Sequence, residues 1–300
     1  MRVTKLLVVG AGPAGVAAAL MASSLGMRTT LIEAGQVGEK LQAIGALENV
    51  PGGWSKGAEL AEGLATDVER LQAGGRCALV HGQVERIVGT DDQVEVVLAS
   101  GGTLVGNAAV VATGVHSLRT QDVDWIDASA ELTLPPLWRT SAGELEAARH
   151  TVVLGGDRPL GTWLRAHPHA AVELEVLYPA VDAYKIAEVA EDPRVRAYEI
   201  EHVVAQTSVD GVHLTVEQTV GGLLTVTADV VLGNMGSKPA VPDGDLVRGP
   251  DGYCPPTVQH PRILIAGDLR SARFQRIASA QGSGAEAVLA HYYRAVDAPN

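Results

Sequence analysis

The chain has 300 residues, enough for one large or two ordinary domains, and an apolar fraction of 46% that readily fills a core. A formal net charge of −12 with no basic run argues against a nucleic-acid partner and reads as a solvated acidic surface. The only cysteines, Cys77 and Cys254, stand far apart, so neither a disulfide framework nor a metal site is expected.

Met1–Lys5 runs straight into an apolar strand, so no signal peptide is read there. Strand Lys5–Val9 is continuously apolar, as a buried parallel strand requires. Helix Ala14–Leu25 follows and stops at Gly26; it is too short to span a membrane. Thr29–Ile32 completes a strand–helix–strand unit. Gly57–Leu71 reads as an amphipathic helix, and Ala78–Thr90, Gln93–Leu98 and Thr103–Val105 as antiparallel strands. Ala108–Ala112 is another buried strand.

Val115–Leu134 is polar and irregular and reads as a linker. The first plan then repeats. Strand Thr151–Leu154, a short helix halted by Pro168 and strand Leu174–Tyr178 precede a meander (His202–Gln206, His213–Gln218, Leu224–Val226). Ala228–Leu232 closes the unit. Arg262–Ala266 and Ile277–Tyr293, a strand and a helix with no sheet of their own, are expected to return to the first domain. The fold class is therefore α/β, with two Rossmann-like, three-layer domains and the second inserted in the first. Residues 1–116 and 248–300 form one domain, and 117–247 the other.

Gly10-Ala11-Gly12-Pro13-Ala14-Gly15 sits between the first strand and its helix. Gly10 allows the tight turn, Gly12 lets backbone approach a pyrophosphate, and Gly15 lets helix pack on strand. The helix N-terminus adds free N–H groups and a positive dipole end. Glu33, at the end of the next strand, is placed for a ribose diol and disfavours a 2′-phosphate.

Four further segments in order carry a resemblance: Glu48-Asn49-Val50-Pro51-Gly52, Ala112-Thr113-Gly114, Ala266-Gly267-Asp268 and Gly282-Ser283-Gly284-Ala285. With the first loop, they make nearly the whole chain resemble the thioredoxin reductase-type flavoproteins. The resemblance implies non-covalent FAD in the first domain and a homodimer. Gly10, Gly12, Pro13, Ala14 and Gly15 would hold the pyrophosphate, and Glu33 with Ala34 the adenosine ribose. Val84 would face the adenine through its backbone. Asn49 would lie against the isoalloxazine. Leu41 is also expected to bind the cofactor, and Lys40, where the family has glutamine, is read either as facing the flavin or as a solvated lysine. Ala112, Thr113, Gly114, Gly267, Asp268, Arg276 and Ile277 complete the site.

Three departures follow from the same alignment. Trp138 and Ser141 replace the family's redox cysteines, and thiol–disulfide exchange needs a thiolate. In Gly155-Gly156-Asp157-Arg158-Pro159-Leu160-Gly161 the second nucleotide loop is broken: aligned from Gly155, Asp157 replaces the phosphate-approach glycine. Aligned from Asp157, Leu154 replaces the first glycine. Tyr178-Pro179-Ala180 replaces the cationic 2′-phosphate grip, so NADPH binding is in doubt.

Among other residues, Arg276 is read either as a cation at the flavin pyrimidine edge or as a solvent-facing arginine. His116 is a proton carrier near a substrate or a hinge histidine bonded to backbone. His167-Pro168-His169 reads as a helix end. The expected function is an FAD-dependent oxidoreductase passing electrons between a small-molecule substrate and dioxygen or a redox protein partner, without NADPH. Trp138, Ser141, His116 and Arg276 are its candidate catalytic residues. The alternatives are an NAD(P)H-dependent flavin or ferredoxin reductase and a non-catalytic flavin-binding subunit. A cytoplasmic bacterial protein with no membrane attachment is expected.

Overall fold

The computed structural model describes residues 5–129 and 132–297. The chain divides into two units: Met1–Gln42, Leu47–His116 and Pro239–Asn300 form the first, Ala43–Ala46 and Ser117–Lys238 the second. The second boundary thus falls at 238/239 and not at the expected 247/248. The nine residues in question stay with the first unit because Asp243–Gly244 pairs with its meander.

In unit 1, β1 (Lys5–Val9) leads through the first glycine loop into α1 (Pro13–Ser24). Pro13 opens α1, where its missing N–H is no loss. β2 (Arg28–Glu33) lies parallel to β1. α2 (Gly57–Ala73) buries Leu60, Leu64, Val68 and Leu71 at helical spacing. The expected strand Ala78–Thr90 is two strands. β3 (Cys77–His81) runs parallel to β2, and β4 (Val84–Gly89) opens a meander with β5 (Val94–Leu98) and β6 (Thr103–Gly106). Alternation within one strand does not reveal its neighbour's direction, so this break was hidden. β7 (Ala108–Val111) returns beside β1.

β8 (Val115–Ser117) leads into unit 2. The expected linker Val115–Leu134 also holds β9 (Ile126–Ala128), which pairs with a later strand; Ala130 and Glu131 lie outside the described residues. α3 (Ala142–Glu146), β10 (Thr151–Leu154), α4 (Pro159–Ala166), β11 (Leu174–Tyr178) and α5 (Ala183–Ile186) follow. β12 (Val195–Ser208) begins seven residues before the expected His202. Its first part is parallel to β11 and its second antiparallel to β13 (Gly211–Gln218). A register shift between Ile200 and His202 marks the change. β14 (Gly222–Ala228) and β15 (Val230–Gly233) complete the sheet. Ala228 thus ends β14 and does not open the closing strand. At the corner between them, the Asp229 carboxylate accepts the Arg149 and His150 N–H groups at 2.9 and 3.0 Å.

β16 (Ser237–Pro239) pairs with β8 where the chain crosses back. β17 (Asp243–Gly244), β18 (Ile263–Ile265) and α6 (Ile277–Asp297) belong to unit 1. Its parallel sheet has the order β18-β7-β1-β2-β3. Leu7, Val9, Ala109 and Val111 of that sheet pack against Ile87, Val94 and Val96 of the meander. α6 crosses α1 so closely that a Cβ at Gly284 would lie 2.0 Å from the Ala14 carbonyl oxygen.

His150 links three elements of unit 2. Its ring nitrogens lie 2.9 Å from the Thr227 carbonyl oxygen and 2.7 Å from Glu175 Oε2. Burial pulls its basicity down, but Thr227, Glu175 and Asp229 outweigh that and leave it raised. The folded state therefore favours the imidazolium. The resulting stability is full below the ordinary value of about 6.5 and fades as pH rises through the raised folded value. Melting curves should show wild type losing its advantage over His150→Gln across that rise.

Candidate functional site

Strand order reverses direction at β1, with β2 on one side and β7 on the other. In open α/β sheets a crevice forms at the carboxyl ends of such strands. Here it gathers Gly10, Glu33, Thr113 and Gly267 from the ends of β1, β2, β7 and β18. Gly10 has φ +96, and a Cβ on it would lie 2.5 Å from the Ala112 carbonyl oxygen. A Cβ on Gly15 would lie 1.8 Å from the Gly10 carbonyl oxygen. Gly15→Ala should therefore destabilise the fold by about 3 kcal/mol, the upper range for overpacking against backbone, which urea unfolding would measure.

Gly12 is different. Nothing lies within 4 Å of its Cβ direction, and it caps α1 with extended backbone and no side-chain cap. The first N–H groups of α1 thus face an open cradle with no acidic residue in the first turn. Glu33 is fixed beside it: Oε2 accepts from Ala11 N–H at 2.6 Å and Oε1 from Gly35 N–H at 2.8 Å. Each oxygen keeps a further lone pair for a ribose hydroxyl. Thr113 Oγ1 is buried and has no hydrogen-bond partner. A buried hydroxyl without a partner is uncommon, and this one stands at the crevice with its hydrogen-bonding capacity unused.

Gly267, at φ +69, donates its N–H to Ser283 Oγ at 2.8 Å, which ties the second motif to α6. The half-buried Asp268 carboxyl is pushed up by burial and pulled back by Lys40 and Arg276. Ile277 opens α6 and is half-buried. Arg276 is exposed and donates to the Gln275 carbonyl oxygen at 2.8 Å. Leu41 and Ala112 are buried, while Ala34, Lys40 and Asn49 are exposed. Gly114 accepts the Ala240 N–H at 2.9 Å. The Val84 carbonyl accepts from Gln83 Nε2 at 3.2 Å and keeps a second lone pair.

Unit 2 repeats the loop and resolves its alignment. Gly155 has φ +99, and a Cβ on it would lie 2.5 Å from the Asn234 carbonyl oxygen. Gly155 N–H bonds Leu177 as Gly10 N–H bonds Ile32, both at 2.8 Å. Gly155 is therefore the counterpart of Gly10, Gly156 of Ala11, and Asp157 of Gly12. Gly156 N–H donates to Asp182 Oδ2 at 3.0 Å, so Asp182 takes the bond that Glu33 makes in unit 1. Lys185 Nζ then lies 2.9 Å from Asp157 Oδ1 and 2.7 Å from Asp182 Oδ1. Burial lowers the Lys185 basicity, but the two carboxylates outweigh it and raise it. Asn234 Nδ2 clasps the loop through the Gly155 and Asp157 carbonyl oxygens at 3.2 and 2.8 Å.

Sequence reasoning missed Asp182, Lys185 and Asn234. The only local signal was an acid–lysine pair three residues apart beyond the strand end. Tyr178 is half-buried, its phenol pushed up by burial and by Glu199.

The remaining candidates are scattered among structural roles. Ser141 caps α3: its hydroxyl bonds Glu144 Oε2 at 2.7 Å and accepts the Glu144 N–H at 3.4 Å. The two bonds make a capping box. Trp138 Nε1 donates to Ser117 Oγ at 3.3 Å, and Arg139 stacks 4.6 Å from its ring centre. His116 is exposed. His167 ends α4 with Nδ1 bonded to the Trp163 carbonyl oxygen at 2.9 Å. Cys77 and Cys254 are both buried, and burial pushes both thiols up. Among the described residues no cluster of His, Cys, Asp and Glu can hold a metal ion, and no helix is long and apolar enough to cross a membrane.

Comparison with known proteins agrees with this geometry. The family model described as pyridine nucleotide-disulphide oxidoreductase matches residues 4–284. A thioredoxin reductase of Listeria monocytogenes is 25% identical, over 94% of this chain and 91% of its own. One of Listeria innocua is 24% identical over the same shares. Among solved structures, the Lactococcus lactis thioredoxin reductase matches at TM-score 0.77 with 17% identity, over 98% of this chain and 99% of its own. That of T. acidophilum matches at TM-score 0.74 with 19% identity, over 99% of this chain and 100% of its own.

Proposed function

The chain belongs to the pyridine nucleotide-disulphide oxidoreductase family, and from that premise we propose an FAD-dependent oxidoreductase that works without NADPH and without a thiol pair. Electrons would pass between a small-molecule substrate and dioxygen or a protein partner. FAD, when bound, supplies the two-electron chemistry that no side chain of this protein provides. The residues of unit 1 fit it. Gly12 leaves the cradle open, the α1 N-terminus offers its N–H groups, and Glu33 and Thr113 present unused hydrogen-bonding capacity. Burial outweighs the opposing pull of Lys40 and Arg276 and leaves the Asp268 carboxyl raised above its ordinary value, beside the end of β18 where ligand hydroxyl groups would lie.

The observation that carries the NADPH-independent reading is Asp157. It places a carboxylate, bridged by Lys185 to Asp182, where Gly12 leaves space in unit 1. The absence of a Cys-x-x-Cys pair removes the family's thiol exchange. A cytoplasmic homodimer is part of the same proposal. The test is an anaerobic half-reaction on flavin-loaded protein. Rapid reduction by NADPH with none by organic substrates would sink it, and would favour a flavin or ferredoxin reductase.

A further inference from the structure

The loop between Arg270 and α6 is built against the preference of its own backbone. Phe274, the only phenylalanine in the chain, has φ +64 and is the only described non-glycine residue in the left-handed region. A bulky side chain adopts that conformation rarely and at a penalty. Gln275 enforces it: Nε2 donates to Tyr253 Oη at 3.2 Å and to the Asp268 and Ser271 carbonyl oxygens at 3.3 and 3.1 Å. Arg273 N–H adds a bond to Ser271 Oγ at 3.1 Å. The result leaves the Phe274 ring 83% exposed, so the strain gains the fold no burial.

Charge marks the same loop. Residues 270–276 hold three arginines and no acid, in a chain of net charge −12. Arg270 pairs with Glu286 at 2.8 Å. Arg273 and Arg276 are exposed; the charge of Arg276 also reaches Asp268, whereas Arg273 makes no salt bridge among the described residues. An aromatic ring beside arginines is the composition of an interface hot spot. Small ligands need a concave pocket that buries most of their surface, whereas Phe274 projects. Two copies meeting symmetrically through this loop would set arginine against arginine.

We propose that Arg270–Arg276 is the docking surface for an acidic redox protein, with Phe274 as apolar anchor and Arg273 and Arg276 as steering charges. The proposal rests on the reading that a protein partner exchanges electrons with this chain. It places that partner beside Asp268 and Arg276, which belong to the candidate flavin site.

The test is calorimetric titration of the flavin-loaded full chain with two acidic probes, a plant-type ferredoxin and a flavodoxin, and with basic cytochrome c as control. At least one acidic probe should bind with a Kd below about 100 μM and weaken with salt. Arg273→Glu and Phe274→Ala should each weaken it by about tenfold, while Phe274→Tyr should not and the flavin spectrum stays unchanged. Phe274→Gly should lose docking yet raise the melting temperature by about 2 °C, because glycine relieves the left-handed backbone. Absence of binding to both acidic probes, equal binding of cytochrome c, or variants that bind like wild type would overturn the proposal. So would a change of oligomeric state in Phe274→Ala, which would assign the patch to a second copy. Flavin reduction by NADPH bears on the proposed function alone, since docking is read without turnover.

Discussion

Adding NADPH or NADH to the anaerobic, flavin-loaded protein should leave the flavin absorbance unchanged. The expectation follows from one position seen twice. In unit 1, the direction of a Cβ on Gly12 is open for 4 Å, and the N–H groups of α1 face that space. In unit 2, Asp157 fills the equivalent position with a carboxylate. A phosphate charge about 4 Å from a carboxylate is opposed by roughly 4 kcal/mol at the effective dielectric of a protein surface. That is about a thousandfold in affinity, an upper value because Lys185 screens part of it.

Lys185 does not rescue the site, since both its bonds go to Asp157 and Asp182. Nor is it freely given up. Asp182 is 6% exposed, and removing the cation beside a buried carboxylate costs about 3–5 kcal/mol. Tyr178-Pro179-Ala180 offers no compensating cation. Stopped-flow absorbance with each nicotinamide is the measurement, and reduction within a turnover-like time by either one would refute the expectation.

Moving the same chemistry into unit 1 should abolish flavin binding. Gly12→Asp is the informative variant because the backbone accepts it. At φ −76 and ψ −174 any residue fits, and a Cβ there meets no heavy atom within 4 Å. As an N-cap, Asp even gains about a few tenths of a kcal/mol over glycine. The apoprotein should therefore melt at or slightly above the wild-type temperature. The flavin should be lost, since its pyrophosphate meets the repulsion just described, with affinity reduced by about a thousandfold. Absorbance of the purified variant and its melting curve separate the two effects. A yellow protein would show that the cradle at Gly12 is not where a pyrophosphate lies. A colourless but unfolded one would contradict the open geometry.

Much of this was legible before any coordinates. Gly15 is required by the Gly10 carbonyl a few residues away, so its spacing announces the helix packing; the turn at Gly10 is legible from its motif, although Ala112 of the distant β7 end is what crowds it. Lys5–Val9 and Thr151–Leu154 are continuously apolar because parallel strands are covered on both faces. The lack of a thiol pair is a matter of inventory. What stayed hidden was everything set by a partner distant in sequence. The break between β3 and β4 and the early start of β12 depend on which strand lies alongside. The second loop admitted two alignments until the bond from Gly155 to Leu177 chose one.

The amino-acid sequence by itself determined that the chain carries a dinucleotide loop, repeats that plan once, and has no cysteine pair to do thiol chemistry. Those are properties of short segments and of which residues exist. Only the tertiary structure decided that Asp157 is held by Lys185 against Asp182, that Ser141 is a helix cap, and that Phe274 stands exposed on a strained loop. The reason is physical: the charge and hydrogen-bond partners of a side chain are settled by whatever the fold brings within about 3 Å of it, and sequence spacing does not measure that distance.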